Sequence, residues 1–150
     1  MHCITNVSLP YTRTNAPQNN LWCISLDDQK IIRGIELVGK QDLSGENWDG
    51  DWVSPRGIDL QINGGLGISF AELSNSDLPK LFDFLDKLWI DGVEAICPTI
   101  ISSSIPELRN SLEILRLARK EIRDSRCSLL GAHLEGPFIS QDSAGAHQSK

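Results

Sequence analysis

Gly57-Ile58-Asp59-Leu60-Gln61-Ile62, followed by Asn63-Gly64-Gly65, is the stretch from which the fold can be read. Apolar residues at alternate positions make it a strand, and Asn-Gly-Gly closes it. Downstream, Leu78, Leu81, Phe82, Leu85, Leu88 and Trp89 recur at helical spacing. Ser76 reads as the N-cap of that helix, Pro79 is tolerated in its first turn, and Asp91-Gly92 reads as its stop. Val93 to Ile101 reads as a second strand. Ser104-Ile105-Pro106-Glu107 has the spacing of a capping box, and Leu108, Leu112, Leu115 and Ile122 mark the buried side of a second helix. Cys127 to Leu134 reads as a third strand, stopped by Gly136-Pro137. Strands alternating with helices predict an α/β fold with parallel strands joined by crossovers. A doubly wound sheet and a barrel both fit this pattern.

Upstream of Ser54-Pro55 the pattern is different. Leu21 to Leu26 and Lys30 to Val38 read as two strands joined by an acidic turn at Asp27-Asp28-Gln29-Lys30, with Gly34 as a candidate bulge. His2 to Leu9 reads as a further strand, and Gly39 to Trp52 as a loop. The expected organisation is therefore a β unit over residues 1–54 and an α/β unit over residues 55–150.

The chain has 150 residues, 40% hydrophobic and 23% charged, which is too apolar for a disordered chain. No stretch approaches the ~20 apolar residues of a membrane-spanning helix. The net charge of −6 offers no footprint for nucleic acid or an anionic membrane, so neither is expected as a partner. The N-terminus lacks a basic segment followed by an apolar one, and the four cysteines have no C-x-x-C spacing. Free thiols in a cytoplasmic protein are the expectation.

The strands carry an anomaly. Buried parallel strands are usually continuous aliphatic runs. Here Asp59, Gln61 and Asn63 share one strand face, and His133 and Glu135 share another. Unpaired polar groups facing a core are costly, so something must satisfy them. Ligands in α/β folds bind at the C-terminal ends of parallel strands, where Asn63 and Glu135 sit. The carboxylate of Glu135 suits a divalent metal ion. Each residue also has a plain reading. Glu135 could form a structural ion pair, His133 could be a core histidine, Gln61 and Asn63 could be strand-end hydrogen-bonders, and His147 could lie at the surface.

Three motifs, in this order, resemble the N-acetylglucosamine-6-phosphate deacetylases of the amidohydrolase superfamily. They are Asp59-Leu60-Gln61-Ile62-Asn63-Gly64-Gly65, Cys97-Pro98-Thr99-Ile100-Ile101, and His133-Leu134-Glu135-Gly136-Pro137-Phe138 followed by Gly145-Ala146-His147. One departure is Arg56, where the family usually has glycine followed by an aromatic residue on entry to the first strand.

The resemblance implies the first three βα units of a (β/α)8 TIM-type barrel, preceded by part of a small β-sandwich domain. It implies hydrolysis of the N-acetyl group of N-acetylglucosamine 6-phosphate to glucosamine 6-phosphate and acetate, in amino-sugar catabolism. It implies one divalent metal ion, Zn²⁺ or similar, with Glu135 as a ligand. Ala146 and His147 match a substrate-contacting pair. Gln61 and Asn63 stand where many amidohydrolases have a His-x-His metal pair. Amides are poorer ligands, so a second metal site there would be weak. A complete barrel takes about 250 residues. The family's metal-binding histidines and catalytic aspartate match positions beyond Lys150, so no catalytic residue is expected within this stretch, and the stretch alone is expected to be inactive. The expected partner is an amino-sugar phosphate, and a homo-oligomer of a full-length protein stays open. Two other readings are a non-catalytic, partner-binding piece of a split protein and an amidohydrolase acting on a cyclic amide.

Overall fold

A computed structural model describes residues 2–10, 20–38, 44–121, 124, 126–136, 138–140, 142 and 145. The chain divides into two compact units, Met1–Pro55 and Arg56–Lys150.

The first unit is a four-stranded sheet. Strands β1 (His2–Val7), β2 (Trp22–Leu26), β3 (Ile32–Leu37) and β4 (Glu46–Asn47) lie in the order β3-β2-β1-β4. The turn between β2 and β3 is held by Asp27, whose Oδ1 accepts from the amides of Gln29 and Ile31, both at 2.9 Å. This fits the ability of Asp to bond its own backbone two residues on. Arg33 is an extra residue opposite the Ser25–Leu26 step, so the irregularity abuts Gly34 as its sequence suggested. Val7, Trp22 and Ile24 form the buried cluster. The stretch expected to be a loop contains β4, which pairs parallel to β1. Its two residues are too few to show alternation.

The second unit begins with β5 (Gly57–Ile62). Then come two short strands, β6 (Gly64–Gly65) and β7 (Ile68–Ser69), helix α1 (Leu78–Ile90), strand β8 (Val93–Ile100) and helix α2 (Ile105–Lys120). The third strand is in two pieces, β9 (Ser128–Leu129) and β10 (His133–Leu134). Both β5 and the β9/β10 line pair parallel to β8, on opposite sides of it. The fold is thus mixed α/β. The helices cover one face of this sheet, where Leu81, Phe84, Leu85, Ile114, Leu115 and Ala118 pack with Ile96 and Ile100.

Four local expectations are corrected. The third strand is interrupted, because the step from Leu129 to His133 holds one residue more than the step from Ile96 to Thr99 opposite it. Gly131 lies within that bulge, where its weak strand preference is tolerated. Asn63-Gly64-Gly65 does more than end a strand, since Gly64 and Gly65 pair with Ser69 and Ile68 in a hairpin. Gly64 has φ 150°, and a Cβ there would overlap the Ile68 carbonyl, while a Cβ at Gly65 would overlap the Phe84 ring. Ser76 does not cap α1. A 3-10 turn at Asn75–Asp77 precedes the helix, and Ser74 and Asp77 form the capping box. On α2 the buried stripe runs through Ser111, Ile114, Leu115 and Ala118, leaving Leu112 exposed, and Ile122 lies outside the described residues. The Ser104–Glu107 capping box is present as expected.

Arg126 anchors the start of β9 to α1. Its Nε and NH2 groups donate to Asp86 at 2.5 and 2.9 Å, and its guanidinium lies 4.5 Å from the Phe82 ring centre. All four cysteines are free, with Cys23 and Cys127 buried. Among the described residues no helix is long and apolar enough to cross a membrane.

Candidate functional site

Two of the polar residues flagged on the strands, Gln61 and Glu135, meet at the C-terminal end of the three-stranded parallel sheet. Neighbouring strands lie about 4.8 Å apart, so β5 and β10 are separated by about twice that across β8. Two long side chains close this distance, with Gln61 Nε2 donating to Glu135 Oε2 at 3.1 Å. The Glu135 amide continues the ladder by donating to the Ile100 carbonyl at 2.9 Å. Glu135 is therefore held at both ends, its backbone by strand pairing and its carboxylate by an amide donor.

His133 lies directly opposite Thr99 in the β8–β10 pairing, with Nδ1 3.2 Å from Thr99 Oγ1. Thr99 is 1% exposed. It also accepts from the Ile62 amide at 3.0 Å. Ile62 has left the regular ladder. Three steps along β5, from Asp59 to Ile62, face two steps along β8, from Ile96 to Pro98. The two amides at this bulge are taken by side chains: Gln61 N–H donates to Asp59 Oδ1 at 2.9 Å, and Ile62 N–H to Thr99. Asp59 therefore supports the backbone, and Thr99 joins all three strands. Reading the sequence alone missed both roles. A carboxylate two residues before Gln61 and a threonine at a strand end were visible, but the bulge that gives them work was not.

Asn63 is exposed at the end of β5, and its carbonyl accepts from the Phe70 amide at 3.0 Å. Ala146 and His147 lie outside the described residues. Ser102, at the end of β8, donates to the Gly136 carbonyl at 2.9 Å and so ties the loop after β8 to the residue following Glu135.

The donor chemistry can be tested against a metal ion. A structural or catalytic zinc takes three or four protein donors. Among the described residues no three His, Cys, Asp or Glu side chains gather in this way. Glu135 fits as one ligand, because metal-binding carboxylates are commonly held by a hydrogen-bond donor. In this arrangement Gln61 turns its NH2 toward the carboxylate and serves as that donor. A cavity of about 260 Å³ lies elsewhere, at the N-terminal end of the third strand beside Arg126, Cys127 and Ser128. Its most buried charge, Arg126, is already engaged by Asp86.

The chain is 36% identical over 98 residues to the N-acetylglucosamine-6-phosphate deacetylase of Danio rerio, covering 65% of this chain and 24% of that protein. It is 35% identical over 122 residues to the Mus musculus enzyme of that name, covering 81% of this chain and 29% of that protein. This chain is a relative of the N-acetylglucosamine-6-phosphate deacetylases. An Escherichia coli O157:H7 relative, 30% identical over 122 residues, covering 78% of this chain and 29% of that protein, is named N-acetylgalactosamine-6-phosphate deacetylase. The chain spans between about a quarter and three tenths of the length of these relatives. No protein-family model matches it. The crystal structure of the Pasteurella multocida N-acetylglucosamine-6-phosphate deacetylase superposes with a TM-score of 0.64 at 22% identity, over 99% of this chain and 37% of that one. That likeness concerns the fold alone.

Proposed function

We propose that this chain forms the N-terminal part of a metal-dependent deacetylase. The enzyme would remove the N-acetyl group of N-acetylglucosamine 6-phosphate, with one water consumed and glucosamine 6-phosphate and acetate released. In this reading the three parallel strands and their two helices are the first three βα units of a (β/α)8 barrel, and residues 1–54 are part of a small β-sandwich domain. The observation that carries the proposal is the placement of Glu135. It stands at the C-terminal end of the third parallel strand, its carboxylate aligned by Gln61 at 3.1 Å, where enzymes built on such strands place their chemistry. The named relatives support the same reaction.

Glu135 would hold one divalent metal ion, with the remaining ligands and the catalytic aspartate contributed by sequence beyond residue 150. When bound, such an ion supplies a Lewis acid for amide hydrolysis. Gln61 keeps the carboxylate in one orientation. Thr99 keeps the His133 ring in place. Ala146 and His147 would contact the sugar phosphate. The 150-residue stretch by itself would not turn over substrate.

The test is a deacetylation assay on the protein isolated from its own cells, with and without a chelator. The substrates are N-acetylglucosamine 6-phosphate, its C4 epimer and the sugar lacking phosphate. Acetate release from the first, lost with the chelator and regained with a divalent ion, is the expected result. Preference for the C4 epimer would move the assignment to the galactosamine enzyme. Release from neither phosphorylated sugar would end it.

A further inference from the structure

Thr99 has more to do than fill a strand end. The geometry assigns it as a positioning residue, whose hydroxyl pins the β5 bulge that aims Gln61 at Glu135 and fixes His133 in the tautomer with its proton on Nδ1. Its value for deacetylation rests on the reading above, whereas the bonds themselves do not.

A threonine hydroxyl has one proton and two acceptor sites. The Ile62 amide donates to Thr99 Oγ1 at 3.0 Å and fills one of those sites. The hydroxyl donates to the Cys97 carbonyl at 3.4 Å, which uses the proton. His133 Nδ1, at 3.2 Å, then faces the remaining acceptor site and must itself carry a hydrogen. The opposite assignment, with Thr99 donating to Nδ1, gives up the Cys97 bond and leaves an acceptor site of a buried hydroxyl empty. Three bonds outweigh two where water cannot substitute, and Thr99 is 1% exposed. The consequence is a His133 ring whose Nε2 carries the lone pair, and so accepts a hydrogen bond rather than donating one.

The same hydroxyl governs Gln61. The extra residue on β5 lies between Asp59 and Ile62, and the Ile62 amide has the Thr99 side chain as its acceptor. Without that acceptor the bulge loses one of its two side-chain anchors, Asp59 being the other. Gln61 sits inside the bulge, and a shift of register there would carry its amide away from Glu135.

The experiment uses the full chain and two variants, Thr99→Val and Thr99→Ser. Nitrogen-15 NMR in alkaline buffer reads which ring nitrogen of His133 is protonated, and hydrogen exchange reads the Ile62 amide. In the wild type the proton is expected on Nδ1. Thr99→Val should speed Ile62 exchange by about tenfold, the loss of roughly one hydrogen bond, and mix the two tautomers. Thr99→Ser should restore both signals, which a role confined to packing the threonine methyl would not do. A wild-type His133 with its proton on Nε2 overturns the inference even if the valine variant fails to fold. So does a folded valine variant that matches the wild type in both signals. Neither readout requires turnover, so failure of the deacetylase reading is seen separately.

Discussion

Cys127 is 2% exposed and sits among apolar side chains at the start of the third strand. Burial, helped by the charge of Asp59, pushes its thiol from 9.0 to about 11. The folded state therefore binds this proton more tightly than the unfolded chain. The resulting stability is fully present below pH 9.0 and is lost as pH rises toward about 11. Equilibrium unfolding between those limits should show a falling midpoint, and Cys127→Ala should flatten that fall. Gly65 is a second residue whose role is local. Its missing side chain lets Phe84 pack against the β6–β7 hairpin, so Gly65→Ala should cost about 1–3 kcal/mol by overpacking, read from the urea midpoint. Residue by residue, the sequence marked the out-of-place polar positions better than it marked their contacts. Glu135, Gln61 and His133 stood out because polar residues on parallel strands contradict burial. Thr99 did not stand out, because one hydroxyl among aliphatic neighbours carries no contradiction until the bulge is known.

Elements were legible in proportion to their length and to the strength of their punctuation. The helix α2 announced itself through Ser104 and Glu107, which bond each other's backbone amides at 3.4 and 2.8 Å. For α1 the serine at 76 looked right by position, but Ser74 has Asp77 three residues on to complete the reciprocal pair, and that spacing decides. The hairpin at residues 64–69 escaped notice because each of its strands has two residues, below the length at which a period of two can be seen. The split third strand escaped because an inserted residue changes register without changing composition. Arg126 is the element-scale tie from β9 to α1. Removing its partner with Asp86→Ala leaves a buried guanidinium short of its carboxylate. Asp86 is itself 42% exposed, so water softens the loss, and the expected cost is about 1–3 kcal/mol. Chemical unfolding would check it. Asp86→Glu, which keeps the charge, should lose less.

At the scale of the whole molecule the sequence suggested two units from a change of pattern near Ser54-Pro55, and the chain divides after Pro55. The parallel alternation of strand and helix allowed both a doubly wound sheet and a barrel. The proposed barrel gives Ile58 and Leu60, 58% and 65% exposed on β5, a role as surface for later elements to cover. The proposed function makes Glu135 a metal-holding carboxylate. The most direct test is the divalent metal content and deacetylase rate of the protein isolated from its own cells and of its Glu135→Gln variant, which keeps size and hydrogen bonding but is a poorer ligand. About one ion per chain is expected in the wild type. Glu135→Gln should lose that ion and its activity together while remaining folded. A folded Glu135→Gln protein that keeps both metal and activity would rule out Glu135 as a metal ligand.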